Sequence, residues 1–287
     1  MNVLSLFDGM SCGRIALERS GITVDKYFAS EIEPKAIKIS QKNYPDIIQL
    51  GDITKLSGDG LPNIDLLLAG SPCQGFSTAG EMTGLEHEGS KLFYDFVRLK
   101  DKLKPKYWLL ENVHMTEPNM DIINQLLGCR PVSINSRLVS AHNRPRLYWT
   151  NIPFSGMPND KGLVWKDIEQ TDVDYVYYNR PAGKRMFHNE RNRFKYATME
   201  KSPTLLKRST GTDCNGIIMD DNPDNPLIRK YTAIECERLQ TVPDNYTEGI
   251  TFNQRCEMLG NGWTVDVIVH LLKGLKGDDH PMARFFK

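Results

Sequence analysis

Short apolar runs alternate with helix-spaced apolar positions along the first half of the chain. The runs "NVLSLF" (2–7) and "IDLLLAG" (64–70) are typical of buried strands, whereas "SKLFYDFVRLKDKL" (90–103) places apolar residues on one helical face. The same patterns predict further strands at 26–30, 47–50, 106–111, 132–139 and 146–151, and further helices at 12–21, 33–44 and 119–128. Because strands and helices alternate at this spacing, we expect crossover connections on a mostly parallel α/β sheet.

The second half of the chain follows a different pattern. Residues 154–228 contain many Pro, Gly and Asn residues and no long periodic element, and helical patterns return at 232–241 and 263–275. We therefore expect a first domain at 1–153, a small irregular domain at 154–253, and a C-terminal return at 254–287 that completes the first domain.

Composition narrows the class of protein. The chain has 287 residues and no net formal charge, and its N-terminal segment lacks the basic flank and apolar core of a signal peptide. No apolar run approaches the roughly 18 residues that a membrane span needs. The six cysteines form no CxxC pair, which argues against a zinc site or a disulfide framework and indicates a reducing compartment. We therefore expect a cytoplasmic protein with no membrane partner and no bound metal.

Positive charge is concentrated in one part of the irregular segment. Between Arg180 and Arg208, nine Lys and Arg residues stand against Glu190 and Glu200, with Phe and Tyr residues interleaved. Such a stretch fits contacts to nucleic-acid phosphates, and it fits a solvated lysine-rich face equally well.

Four predicted strands end in residues that are common in active sites. These residues are Asp8, Glu31, Cys73 and Glu111. Any one of them could serve as a helix cap or a turn residue. Because ligands of open parallel sheets bind beyond the carboxyl ends of the strands, four such residues together predict an active-site face.

The first turns of the sheet favour an adenosine-containing cofactor. The glycine-rich turn "FDGMSCG" (7–13) follows the first strand, but it is not GxGxxG and has no Walker lysine, so ATP is not expected. Glu31 could accept hydrogen bonds from ribose hydroxyls, and Asp52 from an adenine amino group. The alternatives are that Asp8 caps a helix and that Asp52 forms a turn.

The stretch "SPCQGFS" (71–77) indicates covalent chemistry. Cys73 follows a proline at the end of a predicted strand, where a thiolate nucleophile could be presented. Glu111 is a carboxylate that could share a proton with a ring nitrogen. Arg144 and Arg146 are two positions apart at the start of a predicted strand, so we expect both side chains to point to the same face of the sheet. Two such guanidinium groups could hold a carbonyl oxygen and a phosphate.

Six stretches carry a resemblance to a known family: "FDGMSCG", "SPCQGFS", "ENV", "HNRPRLYW", "ECERLQTVPDNY" and "LGNGWTVDVIVHLL". In this order they resemble the motifs of DNA (cytosine-5) methyltransferases over nearly the whole chain. The stretches "RLYWTN" (146–151) and "LGNGWTVDVIVHLL" look most like the catalytic domains of animal de novo enzymes. The resemblance implies a Rossmann-like S-adenosylmethionine-dependent methyltransferase sheet at 1–153 and a target-recognition domain at 154–253.

The resemblance also assigns roles in catalysis. It implies that Cys73 attacks carbon 6 of a flipped-out cytosine in a short duplex DNA sequence, so that carbon 5 can take the methyl group. Glu111 would hold the N3 and amino edge of the base, and Arg146 would contact O2. Arg144 would support the same loop.

Binding residues are carried over from the same motifs. The resemblance places S-adenosyl-L-methionine against Phe7, Asp8, Gly9, Gly13, Glu31, Ile32, Asp52, Ile53, Pro72, Leu92, Asn261 and Trp263. It places double-stranded DNA against Gln74, Ser77, Thr204, Lys207 and Arg208. Ile32 departs from the large aromatic residue that some relatives have there, and Trp263 could instead be a core residue.

Other functions stay open on the sequence alone. A tRNA cytosine-5 methyltransferase is one, although the Cys-Phe-Thr signature of that branch is absent near the target region. A catalytically silent DNA-binding regulator is another, although Cys73, Glu111 and Arg146 are all present. A bare catalytic chain suggests a prokaryotic or phage setting, with a possible restriction endonuclease partner.

Overall fold

The computed structural model describes residues 1–72, 88–171, 173–177, 194–196, 198–205, 216–220, 222 and 224–276, and for 88–91 and 194–196 it describes the backbone only. Contacts divide the chain into two compact units. The first comprises Met1–Ile134, Pro145–Met157 and Ile268–Lys287, and the second comprises Asn135–Arg144 and Pro158–Val267. The functional domain boundaries given above stay a prediction.

A seven-stranded sheet forms the first unit. Its elements are β1 (Asn2–Leu6), α1 (Cys12–Arg19), β2 (Lys26–Ser30), α2 (Pro34–Asn43), β3 (Ile48–Gln49), β4 (Leu66–Gly70), α3 (Glu88–Leu103), β5 (Tyr107–Asn112), α4 (Glu117–Leu127), β6 (Val132–Asn135) and β7 (Pro145–Thr150). The strand order is β3-β2-β1-β4-β5-β7-β6. The pairs among β3, β2, β1, β4 and β5 are parallel, and β7 runs antiparallel to β5. The mostly parallel α/β sheet expected from the sequence is therefore confirmed.

Alternate residues of the central strands build one face of the core. Leu4, Leu67, Trp108 and Leu110 lie in one buried cluster with residues of α3 and α4, among them Phe96. Successive residues of a strand point to opposite faces of the sheet. Because both faces of these strands are buried, each strand is a short continuous run of apolar residues. The apolar stripes of α3 and α4 cover the face.

The order of the strands also fixes where a ligand can bind. From β1 the chain moves through β2 to β3 on one side, and β4 and β5 lie on the other side. The carboxyl ends of β1 and β4 are therefore the topological switch point of the sheet, the usual place for a ligand in open α/β folds. The turns that begin at Phe7 and Ser71 leave the sheet there.

The second unit contains a small sheet and most of the late helices. Its elements are α5 (Trp165–Ile168), β8 (Phe194–Tyr196), β9 (Gly216–Asp220), β10 (Leu227–Lys230), α6 (Ala233–Leu239), α7 (Phe252–Asn261) and the start of α8 (Val265–Lys276). The strand order is β10-β9-β8, with β9 antiparallel to β10 and parallel to β8. Buried Arg229 donates to Glu235 at 3.0 Å and to Glu169 at 3.1 Å, so an ion-pair network joins β10, α6 and the end of α5.

Most of the predicted elements are present, and two differences have local causes. The strand expected at 132–139 ends at Asn135, because the Asn135 side chain accepts the Arg137 amide and starts a 3₁₀ turn at Ser136–Leu138. Helix α7 was not expected, because few of its residues are apolar. Its start is fixed by Thr251, whose hydroxyl accepts the Gln254 amide. Within the residues that the structure describes, no helix is long and apolar enough to cross a membrane.

Candidate active site

The turn after β1 is built around a buried carboxylate. Asp8 is buried and accepts hydrogen bonds from the Ser11 hydroxyl at 2.5 Å and the Tyr27 hydroxyl at 2.7 Å. Because Ser11 gives its proton to Asp8, the Ser40 hydroxyl must donate to Ser11 across their 2.6 Å contact. Burial raises the pKa of Asp8 to about 6, against these hydrogen bonds. Asp8 therefore holds the turn in place through its hydrogen bonds to Ser11 and Tyr27. It is not the N-cap of α1, because the N-cap is Ser11.

Glu31 at the end of β2 joins this turn to the next one. Its Oε2 accepts the Gly9 amide at 2.7 Å, and its Oε1 accepts the amides of Ile32 and Glu33 at 2.8 Å each. A carboxylate has about four acceptor sites, so one remains for a ligand hydroxyl. This arrangement is compatible with the predicted ribose contact.

The surroundings of these two turns have room for an adenosine-containing cofactor. A Cβ built on Gly9, which has φ +59°, would meet no atom of the described residues within 4 Å, so they leave open space beside this turn. Beside Glu31, the apolar side chain of Ile32 is 70% exposed. A flat ring could cover such a side chain with a gain of buried apolar area. These residues fit the cofactor that the sequence predicts.

Other predicted cofactor residues lie around the same strand ends. Asp52 forms the turn considered as its alternative role, because its carboxylate accepts the Thr54 amide at 2.9 Å and the Thr54 hydroxyl at 2.8 Å. The side chain of Ile53 is buried in the core, so a ligand contact there would have to come from its backbone. The remaining members are placed as follows: Phe7 and Leu92 pack partly buried against the core, Gly13 lies in the first turn of α1, and Pro72 follows β4.

A carboxylate and a guanidinium meet at the end of β5. Arg146 Nε lies 3.1 Å from Glu111 Oε1, and both side chains are largely buried. Glu111 is registered opposite Tyr148 of β7, so the antiparallel pairing brings the two charged side chains together. Nearby His114 contacts Ser133, and partial burial and then the charge of Arg146 lower the pKa of His114. The structure thus unites two of the predicted catalytic residues.

The loop predicted to carry the nucleophile leaves the sheet beside this pair. Gly70, the last residue of β4, is registered with Glu111. The next residue, Ser71, accepts a hydrogen bond from the Asn112 side chain at 2.9 Å, and both residues are buried. Sequence reasoning missed this contact, although both residues stand in the quoted motifs. Cys73, Gln74 and Ser77 lie outside the described residues.

The two arginines before and within β7 do not share an orientation, so the expectation that both point the same way is wrong. Arg146 lies inside β7 and pairs with Glu111. Arg144 lies before the strand, is buried, and donates to the carbonyls of Leu205, Gly260 and Gly262. Pro145 separates them at the strand start, where the chain has not yet taken up the strand alternation.

The remaining predicted residues belong to the second unit. Asn261 is the exposed last residue of α7, and Trp263 is partly buried two residues later. The Thr204 hydroxyl donates to the Asn143 carbonyl at 2.7 Å. Lys207 and Arg208 lie outside the described residues. Among the side chains that the structure describes, no three His, Cys, Asp or Glu residues are grouped to hold a metal ion.

Comparison with known proteins gives one family and several relatives. A family model described as C-5 cytosine-specific DNA methylase matches residues 1–126 and 142–277. The Type II methyltransferase M.NgoBV of Neisseria gonorrhoeae is 42% identical over 299 aligned residues, covering 85% of this chain and 71% of that protein. The Type II methyltransferase M.NlaIV of Neisseria lactamica is also 42% identical, over 71% of this chain and 59% of that protein. The structure of the Entamoeba histolytica methyltransferase EhMeth has a TM-score of 0.79 at 19% identity, covering 97% of this chain and 98% of that one.

Proposed function

The chain belongs to the C-5 cytosine-specific DNA methylase family and is thus a DNA (cytosine-5) methyltransferase; we propose that it uses S-adenosyl-L-methionine to methylate a flipped-out cytosine within a short duplex DNA sequence through a covalent bond to Cys73. The particular likeness to animal de novo enzymes, and the cytoplasmic, prokaryotic or phage setting, stay predictions.

The pair of Glu111 and Arg146 carries this proposal. A cytosine presents an acceptor at N3, a donor at its amino group and an acceptor at O2 along one edge. A carboxylate can accept from the amino group and a guanidinium can donate to O2, so the pair held at 3.1 Å complements these two positions, and it complements N3 once that nitrogen carries a proton. Because both side chains are largely buried, their interactions with a bound base are stronger than they would be in water.

Cys73, Glu111 and Arg146 have separate roles in the proposed reaction. The Cys73 thiolate adds to carbon 6, and the electron pair of the ring double bond makes carbon 5 a nucleophile. Glu111 holds the N3 edge and Arg146 the O2, which stabilises the charge that develops on the ring. Once carbon 5 has taken the methyl group, its proton passes to solvent, and the electron pair of that C–H bond restores the double bond and expels the Cys73 thiolate. The contact between Ser71 and Asn112 supports this assignment, because it fixes the start of the loop that carries Cys73 beside Glu111.

Cofactor binding is assigned to the turns after β1, β2 and β3. S-adenosyl-L-methionine supplies the methyl group when bound. Glu31 has one remaining acceptor site for a ribose hydroxyl, and Ile32 offers an exposed apolar surface for the adenine. The open space at Gly9 leaves room for the methionine part. Asn261 and Trp263 belong to the same assignment.

DNA recognition is assigned to the segment that contains Thr204, Lys207 and Arg208, together with Gln74 and Ser77 of the Cys73 loop. The Type II names of the two Neisseria relatives favour a restriction–modification setting with a restriction endonuclease as the functional partner. An Arg208→Ala variant should bind duplex DNA more weakly and with a smaller salt slope. An unchanged affinity and salt slope would remove Arg208 from the interface.

Substitution of Glu111 tests the catalytic assignment. We expect Glu111→Gln to lower methyl transfer by about 100-fold or more, because the amide cannot carry the proton shared with N3. Binding of duplex DNA, measured by fluorescence anisotropy, should change little. Glu117→Gln is the matched control, since Glu117 is an exposed carboxylate in the first turn of α4. Equal activity of the two variants would refute the role of Glu111.

A substrate comparison separates the DNA enzyme from its closest alternative. Wild-type protein is incubated with S-adenosyl-L-methionine and either unmethylated duplex DNA or tRNA. The proposal predicts 5-methylcytosine in the DNA, whereas methylation of the tRNA alone would favour the RNA enzyme.

A further inference from the structure

Arg144 is a buried arginine whose guanidinium donates hydrogen bonds to main-chain carbonyls. Only 3% of its surface is exposed. Its Nη1 donates to the Leu205 carbonyl at 3.1 Å, and its Nη2 donates to the Gly260 and Gly262 carbonyls at 3.0 Å each. The rigid guanidinium fork therefore ties two distant stretches of the second unit to each other.

One of these stretches is the carboxyl end of α7. The last carbonyls of a helix have no partner inside it and carry partial negative charge. Arg144 satisfies Gly260 and Gly262, while the Gln240 side chain donates to the Leu259 and Gly262 carbonyls at 2.6 and 3.2 Å. We call Gly260–Trp263 the 260–263 turn. Its conformation thus depends directly on the Arg144 side chain.

The other stretch is Ser202–Leu205, here called the 202–205 segment. It lies beside residues 141–143, since the Ser202 amide donates to the Ala141 carbonyl at 2.7 Å and the Asn143 amide donates to the Ser202 carbonyl at 2.8 Å. Leu205 is held by both of its main-chain groups. Its amide donates to His142 Nε2 at 2.6 Å, and its carbonyl accepts from Arg144. A displacement of Leu205 would therefore move or release the Arg144 side chain.

These contacts place Arg144 between two assigned binding regions. The 202–205 segment contains Thr204 and leads to Lys207 and Arg208, which the proposed function assigns to DNA. The 260–263 turn contains Asn261 and Trp263, which it assigns to the cofactor. Resting on that proposed function, we propose that Arg144 is a positioning residue that couples DNA binding at the 202–205 segment to cofactor binding at the 260–263 turn.

The coupling can be measured directly with S-adenosyl-L-homocysteine as the probe. Its dissociation constant is determined by calorimetry with and without a duplex that the wild-type enzyme methylates. In the wild type, the duplex should strengthen binding of the probe by about fivefold or more. In Arg144→Met, the ratio of the two constants should fall to near one. A merely structural defect would weaken binding equally in both states and leave that ratio unchanged.

Two further variants sharpen the comparison. Arg144→Lys keeps the charge, but one ammonium cannot reproduce the geometry of the guanidinium fork, so the coupling should also be lost. Arg137→Met removes an exposed arginine near the start of the same loop and should retain the wild-type ratio. A wild-type ratio in Arg144→Met, or a ratio of one in the wild type, would overturn the proposal. Failure of the wild type to bind the probe at all would instead contradict the proposed function.

A measurement on the wild type alone covers the case in which the Arg144 variants do not fold. Amide hydrogen exchange is followed across 258–265 before and after duplex DNA is added to cofactor-free protein. The Gly262 amide donates to the Met258 carbonyl and the Val265 amide to the Gln240 carbonyl, so both report on the 260–263 turn. The coupling predicts slower exchange of these amides when DNA is bound. Protection confined to the 202–205 segment would refute it.

Discussion

Replacing Asp8 with asparagine should change the way in which the stability of the protein depends on pH. Asp8 is buried, and burial raises its pKa from 3.8 to about 6. The folded protein thus holds the Asp8 proton more tightly than the unfolded chain does. As the pH rises from 4 to above 6, ionisation of this group favours unfolding, and the cost is fully present above the folded pKa. An asparagine has no such cost.

The size of the effect follows from the two pKa values. A difference of roughly 2 units, at about 1.4 kcal/mol each, amounts to about 3 kcal/mol over the whole titration. About 2 kcal/mol of this falls between pH 4.5 and 7.5, since the unfolded chain is already largely ionised at the lower limit. Asparagine can still accept from the Ser11 or Tyr27 hydroxyl, so part of the network is retained.

Urea unfolding at several pH values measures the difference in unfolding free energy between Asp8→Asn and the wild type. Relative to the wild type, the free energy of unfolding of Asp8→Asn should rise by about 2 kcal/mol between pH 4.5 and 7.5. Asp52→Asn is the control, because hydrogen bonds from the Thr54 amide and hydroxyl lower the pKa of Asp52, so its ionisation does not favour unfolding as the pH rises. A constant difference for Asp8→Asn would show that Asp8 ionises at its ordinary pKa, and it would refute the account of the turn.

Two substitutions elsewhere test the packing of the late helices. Glu237 is fully buried and accepts hydrogen bonds from the amides of Asn245 and Thr247 and from the Arg255 side chain. Glu237→Ala should therefore lower the free energy of unfolding, measured in urea, by roughly 3–5 kcal/mol, because it leaves the Arg255 charge without its partner. A loss below about 1 kcal/mol would contradict this. A Cβ on Gly274 in α8 would lie 2.0 Å from the Pro153 carbonyl oxygen. Gly274→Ala should therefore cost about 1–3 kcal/mol despite the higher helix propensity of alanine, and a raised melting temperature would contradict the observed approach.

The strands and helices of the first unit were predictable because their signal is local. Runs such as "KYFAS" and "LLLAG" are apolar on both faces of the sheet, and α3 has a continuous apolar stripe. The residues at the strand ends could also be found, since parallel strands bring their carboxyl ends to one edge. Glu31 and Glu111 were identified in this way, and the structure places both at those ends.

Other parts of the site depend on contacts between distant residues. Nothing near Asp8 in the sequence shows that Tyr27 and Ser40 complete its network, because they come from β2 and α2. The direction of Arg144 is likewise set by carbonyls more than 60 residues away in the sequence. Spacing along a strand predicted the opposite, since it assumed that Arg144 already lay in β7. Helix α7 was missed because its stability depends on capping and on packing of a few buried residues.

The central claim is that this chain forms 5-methylcytosine in duplex DNA by means of Cys73. The most direct test is mass spectrometry of the bases of unmethylated duplex DNA after incubation with S-adenosyl-L-methionine and either the wild-type protein or Cys73→Ser. The account predicts 5-methylcytosine with the wild type and none with the variant. Equal amounts of 5-methylcytosine from both proteins, or none from a wild-type protein that still binds the DNA, would contradict it.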